Sequence, residues 1–169
     1  LDFINCIIQF LNQSDCMLVG VVDLGGLNIN ACAYNKGIPV LSTMYTDTLG
    51  SNVLTQNLKN ALSIKYNEDI PQFMMDDIVN EGYVIDNMRE DGIKEGSKEF
   101  IANFKKRHLK TILKKCEANG WNLSMMRLIF TGGTSQMLAS EIKELLPGAI
   151  IFQDPVFSNT RGFLKVITE

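Results

Sequence analysis

The sequence predicts an α/β domain whose mixed sheet opens with a β-hairpin. Two observations carry this. The apolar segments at about 16–24, 28–34 and 38–46 are joined by glycine-containing turns too short for a crossover, so neighbouring strands must run antiparallel. From about residue 120 onward, strand-like and helix-like segments alternate, as they do where helices cover a sheet. The stretch between Asp47 and Gly120 is mostly helical in pattern and is predicted to be an insertion.

The elements follow in order. Residues 2–12 place Phe3, Ile4, Ile7, Ile8 and Leu11 on one helical face, and Gln13-Ser14-Asp15 breaks that pattern. Residues 16–24 are nearly all apolar, as in a strand covered on both faces. Gly25-Gly26 turns into the second strand, and Asn35-Lys36-Gly37 is a hairpin turn leading to the third. Thr46-Asp47-Thr48 reads as an N-cap cluster for a helix with Leu49, Val53, Leu54, Leu58, Ala61 and Leu62 at helical spacing. A shorter helix is expected over 70–81, begun at Pro71 and stopped by Gly82, followed by a polar, irregular stretch over 83–92.

The longest helix, over 97–118, turns Phe100, Ile101, Phe104, Leu109, Ile112, Leu113 and Cys116 inward and ends at Asn119-Gly120. A strand over 126–130 empties into Thr131-Gly132-Gly133-Thr134-Ser135. Then come a helix over 136–146, a short strand over 149–152 and a final helix from about Asn159.

Composition narrows the function. With 169 residues, 46% of them hydrophobic and 21% charged, the chain can build one core. A net charge of -3 argues against holding nucleic acid through the overall field. The four cysteines (Cys6, Cys16, Cys32, Cys116) form no CxxC pair and His108 is the sole histidine, so a zinc site is not expected. The thiols read as small buried hydrophobes suited to a reducing cytosol, and a cytoplasmic location is expected. No apolar run approaches the roughly 20 residues of a membrane span. The chain starts at Leu1 without a methionine or the pattern of a signal peptide, and is expected to be a fragment of a longer protein.

Three segments carry chemistry. In Val21-Val22-Asp23-Leu24-Gly25-Gly26-Leu27-Asn28 an acid at a strand end precedes two glycines. Glycines let backbone amides approach phosphate oxygens, and the carboxylate can hold Mg²⁺ through its waters. The same residues also suit a plain hairpin turn. In Leu128-Ile129-Phe130-Thr131-Gly132-Gly133-Thr134-Ser135 the glycine pair would let a flat ring or ribose lie against the main chain, ahead of a helix N-terminus that favours anions. A tight strand-to-helix connection explains it as well. Gly50, in the first turn of its helix, costs about 1 kcal/mol relative to alanine. Either a ligand or a tight helix-on-strand contact would explain its presence.

The order and separation of these segments resemble the second domain of the actin, heat-shock-chaperone and sugar-kinase superfamily, a ribonuclease H-like fold. Val22-Asp23-Leu24-Gly25-Gly26 resembles its second phosphate motif and Phe130-Thr131-Gly132-Gly133-Thr134 its adenosine motif. Asp154-Pro155-Val156-Phe157-Ser158-Asn159-Thr160-Arg161-Gly162-Phe163 is similar to the ending in which the last helix starts on Asn-x-x-Gly. Within the superfamily the likeness is to plasmid-segregating bacterial actins of the ParM or StbA type.

That resemblance implies a C-terminal actin-like ATPase domain over 1–169, with its core at about 1–66 and 120–169 and an insertion at about 67–119. It implies ATP or GTP bound with Mg²⁺ in an interdomain cleft, hydrolysis, and nucleotide-controlled assembly into filaments that move plasmid DNA. A DNA-bound adaptor would be the partner, with neither direct nucleic-acid contact nor membrane. Asp23 would be the catalytic residue and position the metal. Gly25, Gly26, Leu27 and Asn28 would cradle phosphates, Gly132, Gly133 and Thr134 would hold the adenosine, and Gly50 would border the ribose.

The chain departs from relatives that carry threonines and an aspartate where it has Leu27, Asn28 and Asn30. The resemblance puts the first phosphate loop and the water-orienting residue before Leu1, so this chain would supply half a catalytic site. A small-molecule kinase of the same superfamily and a non-hydrolysing actin-like scaffold are the alternatives.

Other features have plainer readings. Lys105-Lys106-Arg107-His108 with Lys110, Lys114 and Lys115 is expected to be a solvated helix face, with His108 on the surface or half-buried. Asp76-Asp77 and Glu90-Asp91 are expected on a helix surface and in a loop. Most methionines, Met74-Met75 and Met125-Met126 among them, are expected to fill the core, and Trp121 to pack against the end of the long helix.

Overall fold

A computed structural model describes residues 18–152. The segment 2–12 with Cys6, Cys16, and the ending 154–163 with the helix expected from Asn159 lie outside the described residues. Among the described residues five strands form one sheet in the order β3-β2-β1-β4-β5. β1 (Leu18–Leu24), β2 (Ile29–Asn35) and β3 (Ile38–Asp47) form an antiparallel meander. β4 (Arg127–Thr131) and β5 (Ile150–Ile151) join β1 in parallel, which makes the sheet mixed as predicted.

β1 is apolar on both faces because both are covered. Val22 and Leu24 join Ile29, Leu54, Leu109, Ile112, Phe130 and Ile142 in the core beneath the helices. Val19 and Val21 pack with Cys32, Tyr34 and Ile129 on the other face. The turn between β2 and β3 has Lys36 at φ 48° and Gly37 at φ 79°, the mirror-image geometry that matches strand twist in a two-residue hairpin. β3 is an edge strand and is strongly bulged. Its register against β2 passes from Ala33↔Val40 directly to Ala31↔Tyr45, so residues 41–43 are extra. The Thr43 hydroxyl accepts from the Ala33 amide at 3.0 Å, the Thr43 carbonyl accepts from Trp121 Nε1 at 2.9 Å, and Leu41 stands outward. Trp121 fills the space over Gly20, where a Cβ would overlap the indole ring.

Five helices follow the expected order. α1 (Ser51–Tyr66), α2 (Met75–Glu81), α3 (Ser97–Ala118), α4 (Gly133–Met137) and α5 (Ala139–Leu145) cover one face or build the insertion. The cap expected at Thr46-Asp47-Thr48 is not one. The N-cap is Gly50 without a side-chain bond, while Asp47 accepts from the Thr48 amide and pairs with Lys115 at 3.0 Å. The helix expected over 70–81 splits into a 3-10 turn at Gln72–Met74 and α2, stopped by Gly82 at φ 77°. The helix expected over 136–146 starts earlier, at Gly133, and breaks at Leu138.

A second apolar cluster of Leu58, Leu62, Ile70, Met75, Ile78, Val79, Val84 and Ile101 joins α1, α2 and the first part of α3, in and around the stretch expected to be an insertion. α1 and α3 each serve both clusters. Leu54 faces the sheet and Leu58 the insertion, while Ile101 faces the insertion and Ile112 the sheet. Asp76 and Asp77 are exposed on α2, as expected. The methionines divide: Met75 is buried, and Met88 and Met125 are exposed. No helix among the described residues is long and apolar enough to cross a membrane.

The basic run on α3 is not a uniform solvated face. Lys105 and His108 are buried, because they fall on the stripe that carries Ile101, Leu109 and Ile112. Burial holds the His108 imidazole below its ordinary range, opposed in part by its bond to the Leu49 carbonyl. A group with a depressed folded pKa contributes stability above its unfolded value, here about 6.5, and that contribution is lost as pH falls below it. The melting temperature is therefore expected to fall between about pH 7 and about pH 5, and to fall less in His108→Gln. Thermal melts of both proteins across that range check this.

Candidate functional site

Three backbone turns meet at one end of the sheet. The first links β1 to β2 through Gly25–Asn28 and is closed by the Gly25 amide donating to the Asn28 carbonyl at 3.0 Å. Its carbonyls then cap α1. The Gly25 carbonyl accepts from the Ser51 amide at 3.2 Å, and the Gly26 carbonyl from the Asn52 amide at 2.9 Å. Two of the orphan donors of that helix are satisfied this way, with no capping side chain. Gly50 is buried against the same carbonyls, and a Cβ on it would overlap the Gly26 oxygen. Tight backbone packing thus accounts for this glycine.

The third turn follows β4. Gly132 has φ 82°, and a Cβ there would overlap the Leu24 carbonyl and crowd the Asp23 carboxylate. Thr134 is buried, and its hydroxyl donates to the Gly25 carbonyl at 2.8 Å. Ser135 donates from both its amide and its hydroxyl to the Gly132 carbonyl.

All the residues singled out in the sequence therefore lie in or beside one junction, in different conditions. Gly26, Leu27, Asn28 and Gly133 are exposed, Asp23 and Gly25 are half-buried, and Gly50, Gly132 and Thr134 are buried. Of the four residues expected to cradle phosphates, Gly25 uses its amide inside the turn. Among the described residues the amides of Gly26 and Leu27 donate to no backbone carbonyl. The Leu27 side chain stands in the open at 71% exposure.

Sequence reading missed a polar row. Asp23 is in register with Thr131 on β4 and Asn30 on β2, and Asn30 with Thr46 on β3. Register partners share a face, so the four residues cross four strands side by side, on the face away from the helices. Thr46 donates its hydroxyl to Asn30 Oδ1 at 2.8 Å. The row borders a cleft of about 290 Å³ lined also by Val21, Cys32, Tyr34 and Met44, in which Asp23 is the sole carboxylate among the described residues. Burial pushes the Cys32 thiol and the Tyr34 hydroxyl up, so both stay neutral there. The signal was present as the alternation of polar and apolar residues near the strand ends, but it needed the register to be read.

No family model matches the sequence, and no curated protein does. Solved structures do. The archaeal actin homologue Ta0583 superposes with a TM-score of 0.75 at 16% identity, covering 98% of this chain and 53% of that one. Its complex with ADP matches too, with a TM-score of 0.67. The fold is actin-like. A 15-stranded ParM filament from Clostridium botulinum gives 0.72 at 16% identity, with coverage of 95% and 50%. The Alp12 filament gives 0.68 at 27% identity, with coverage of 95% and 50%. The chain thus spans about half the length of the actin-like structures it matches.

The actin-like junction depends on bare backbone at two glycines. Gly50→Ala and Gly132→Ala are each expected to lose about 1–3 kcal/mol or more, Gly132→Ala through both overlap and strain. Gly148→Ala, where a Cβ meets nothing within 4 Å, is expected to stay within about 0.5 kcal/mol of the parent. Urea unfolding of the three variants measures the differences.

Proposed function

We propose that this chain is the nucleotide-binding second half of a filament-forming actin-like ATPase of the plasmid-segregating type, acting in the cytoplasm with a DNA-bound adaptor. The observation that carries this reading is the junction itself: two exposed glycine-turn amides and a carboxylate beside a third, positive-φ glycine, all at one end of the sheet. Such a group suits a nucleoside di- or triphosphate. Amides of Gly26, Leu27 and Asn28 would donate to phosphate oxygens, and the turn of Gly132, Gly133 and Thr134 would receive the adenosine at its exposed residue, Gly133, with Thr134 holding that turn to the first.

Asp23 fits a Mg²⁺ ion held mostly by water and phosphate, since no cluster of three or more metal-binding side chains occurs among the described residues. Bound there, the ion would neutralise phosphate charge and polarise the scissile bond. The protein's own part is to orient the phosphates through the turn amides and to keep Asp23 at the mouth of the cleft. Filament assembly is supported by the likeness to the Alp12 and ParM filaments, and nucleotide binding by the likeness to the ADP complex.

The test uses the complete protein with its upstream half. Light scattering is expected to rise with ATP or GTP and not without nucleotide. Asp23→Asn is expected to lower Mg²⁺-dependent turnover by about a hundredfold. Sugar-dependent ADP release without assembly would replace this reading by a kinase, and binding with neither assembly nor turnover by a scaffold. The isolated chain is expected to hydrolyse little nucleotide, because half of its catalytic groups would lie upstream; a phosphate-release assay giving rates like the complete protein's would overturn that division.

A further inference from the structure

α3 carries two inward polar side chains that the proposed chemistry does not use. Lys105 and His108 are three residues apart, one helical turn, and are 6% and 9% exposed. Lys105 donates from Nζ to the Val79 carbonyl at 3.1 Å and lies 3.8 Å from Glu141 Oε2. Val79 is on α2, in the insertion. Glu141 is on α5, directly beyond the helix that starts at Gly133, and its carboxylate also accepts from the Ser140 hydroxyl at 3.0 Å. His108 Nε2 lies 3.0 Å from the Leu49 carbonyl. A carbonyl only accepts, so Nε2 bears the proton. Leu49 immediately precedes Gly50, whose neighbours Ser51 and Asn52 donate to the Gly25 and Gly26 carbonyls.

One turn of α3 thus grips both flanks of the glycine junction, the lead-in to α1 and the helix pair after Gly132, and ties them to the insertion. Apolar residues of similar volume would satisfy the core at least as well, since a buried charge pair is a weak stabiliser next to good apolar packing. Their direction, in contrast, can only be supplied by donors: each acceptor is fixed in distance and angle by the group that meets it.

We propose that Lys105 and His108 are positioning residues that hold the Gly50 and Gly132 turns at the spacing a nucleotide requires, and so couple the helical insertion to the nucleotide site. This rests on the nucleotide-binding reading above. Neither side chain touches the ligand; both act through the backbone segments they hold.

The test compares Lys105→Met/Glu141→Gln, His108→Leu and His108→Gln in the complete protein, using Mg²⁺-ADP as the probe. His108→Leu and the paired variant Lys105→Met/Glu141→Gln, which leaves no buried charge unpaired, are expected to bind ADP roughly tenfold more weakly while their melting temperatures stay close to the parent's. His108→Gln retains an N–H donor and is expected to recover most of the affinity. Affinities within twofold of the parent in both apolar variants would overturn the proposal. So would weakening that simply follows a fall in melting temperature and is not relieved in His108→Gln. Should the parent itself bind no nucleotide, the functional reading fails. The positioning is then decided by amide exchange without ligand. Faster exchange at Ser51, Asn52 and Ser135 in the apolar variants supports it, and unchanged exchange overturns it.

Discussion

The carbonyl oxygen of Gly25 holds the site end of this molecule together. It accepts from the Ser51 amide and from the Thr134 hydroxyl, which lies 109 residues along the chain. One backbone acceptor with two lone pairs thus joins a hairpin, a helix start and a strand-to-helix turn. The arrangement tolerates no side chain at Gly50 or Gly132, because the backbones meet where a Cβ would stand. Buried backbone groups must find partners, and here they find them in one another. The amides of Gly26 and Leu27, on exposed residues, donate to no backbone carbonyl among the described residues, and the Asp23 carboxylate lies beside Gly132.

Behind the junction the two apolar clusters are not separate bodies. Leu54 and Leu58 lie one turn apart on α1, yet belong to the sheet cluster and the insertion cluster respectively. α3 does the same over a longer distance, and Phe104 packs against both clusters. The clusters are bridged by continuous helices: α2 packs with Ile101 in the second, and α3 runs on from Ile101 to Leu109 and Ile112 in the first.

Much of the fold was legible because its signals are local. The glycine turns, the hairpin at Lys36-Gly37 and the span of α3 follow from residues within a few positions of each other. The α1 cap was misread because its acceptors come from Gly25 and Gly26, far away in sequence, whereas Thr46-Asp47-Thr48 looked right locally. Lys105 was read by charge as solvated, and His108 as lying on the surface or half-buried. Their period says otherwise, since Lys105 lies four residues from both Ile101 and Leu109, on the buried stripe. The candidate site residues were read from the sequence as residue types and turns, and the structure adds that these turns share one junction. Their individual conditions were not legible: the commitment of the Gly25 amide, the Thr134 hydroxyl bond and the row from Thr131 to Thr46 all depend on strand register and on contacts between distant segments.

The three surplus residues of β3 also shape how copies of this domain can meet. A straight outer strand offers a regular ladder of donors and acceptors onto which a further strand can zip, without limit. At 41–43 that ladder is interrupted, and Thr43 turns inward to serve Ala33 and Trp121 instead. The rim of the sheet is thereby a dead end for strand addition. Amyloid-like joining along this rim is disfavoured by the shape of the backbone itself.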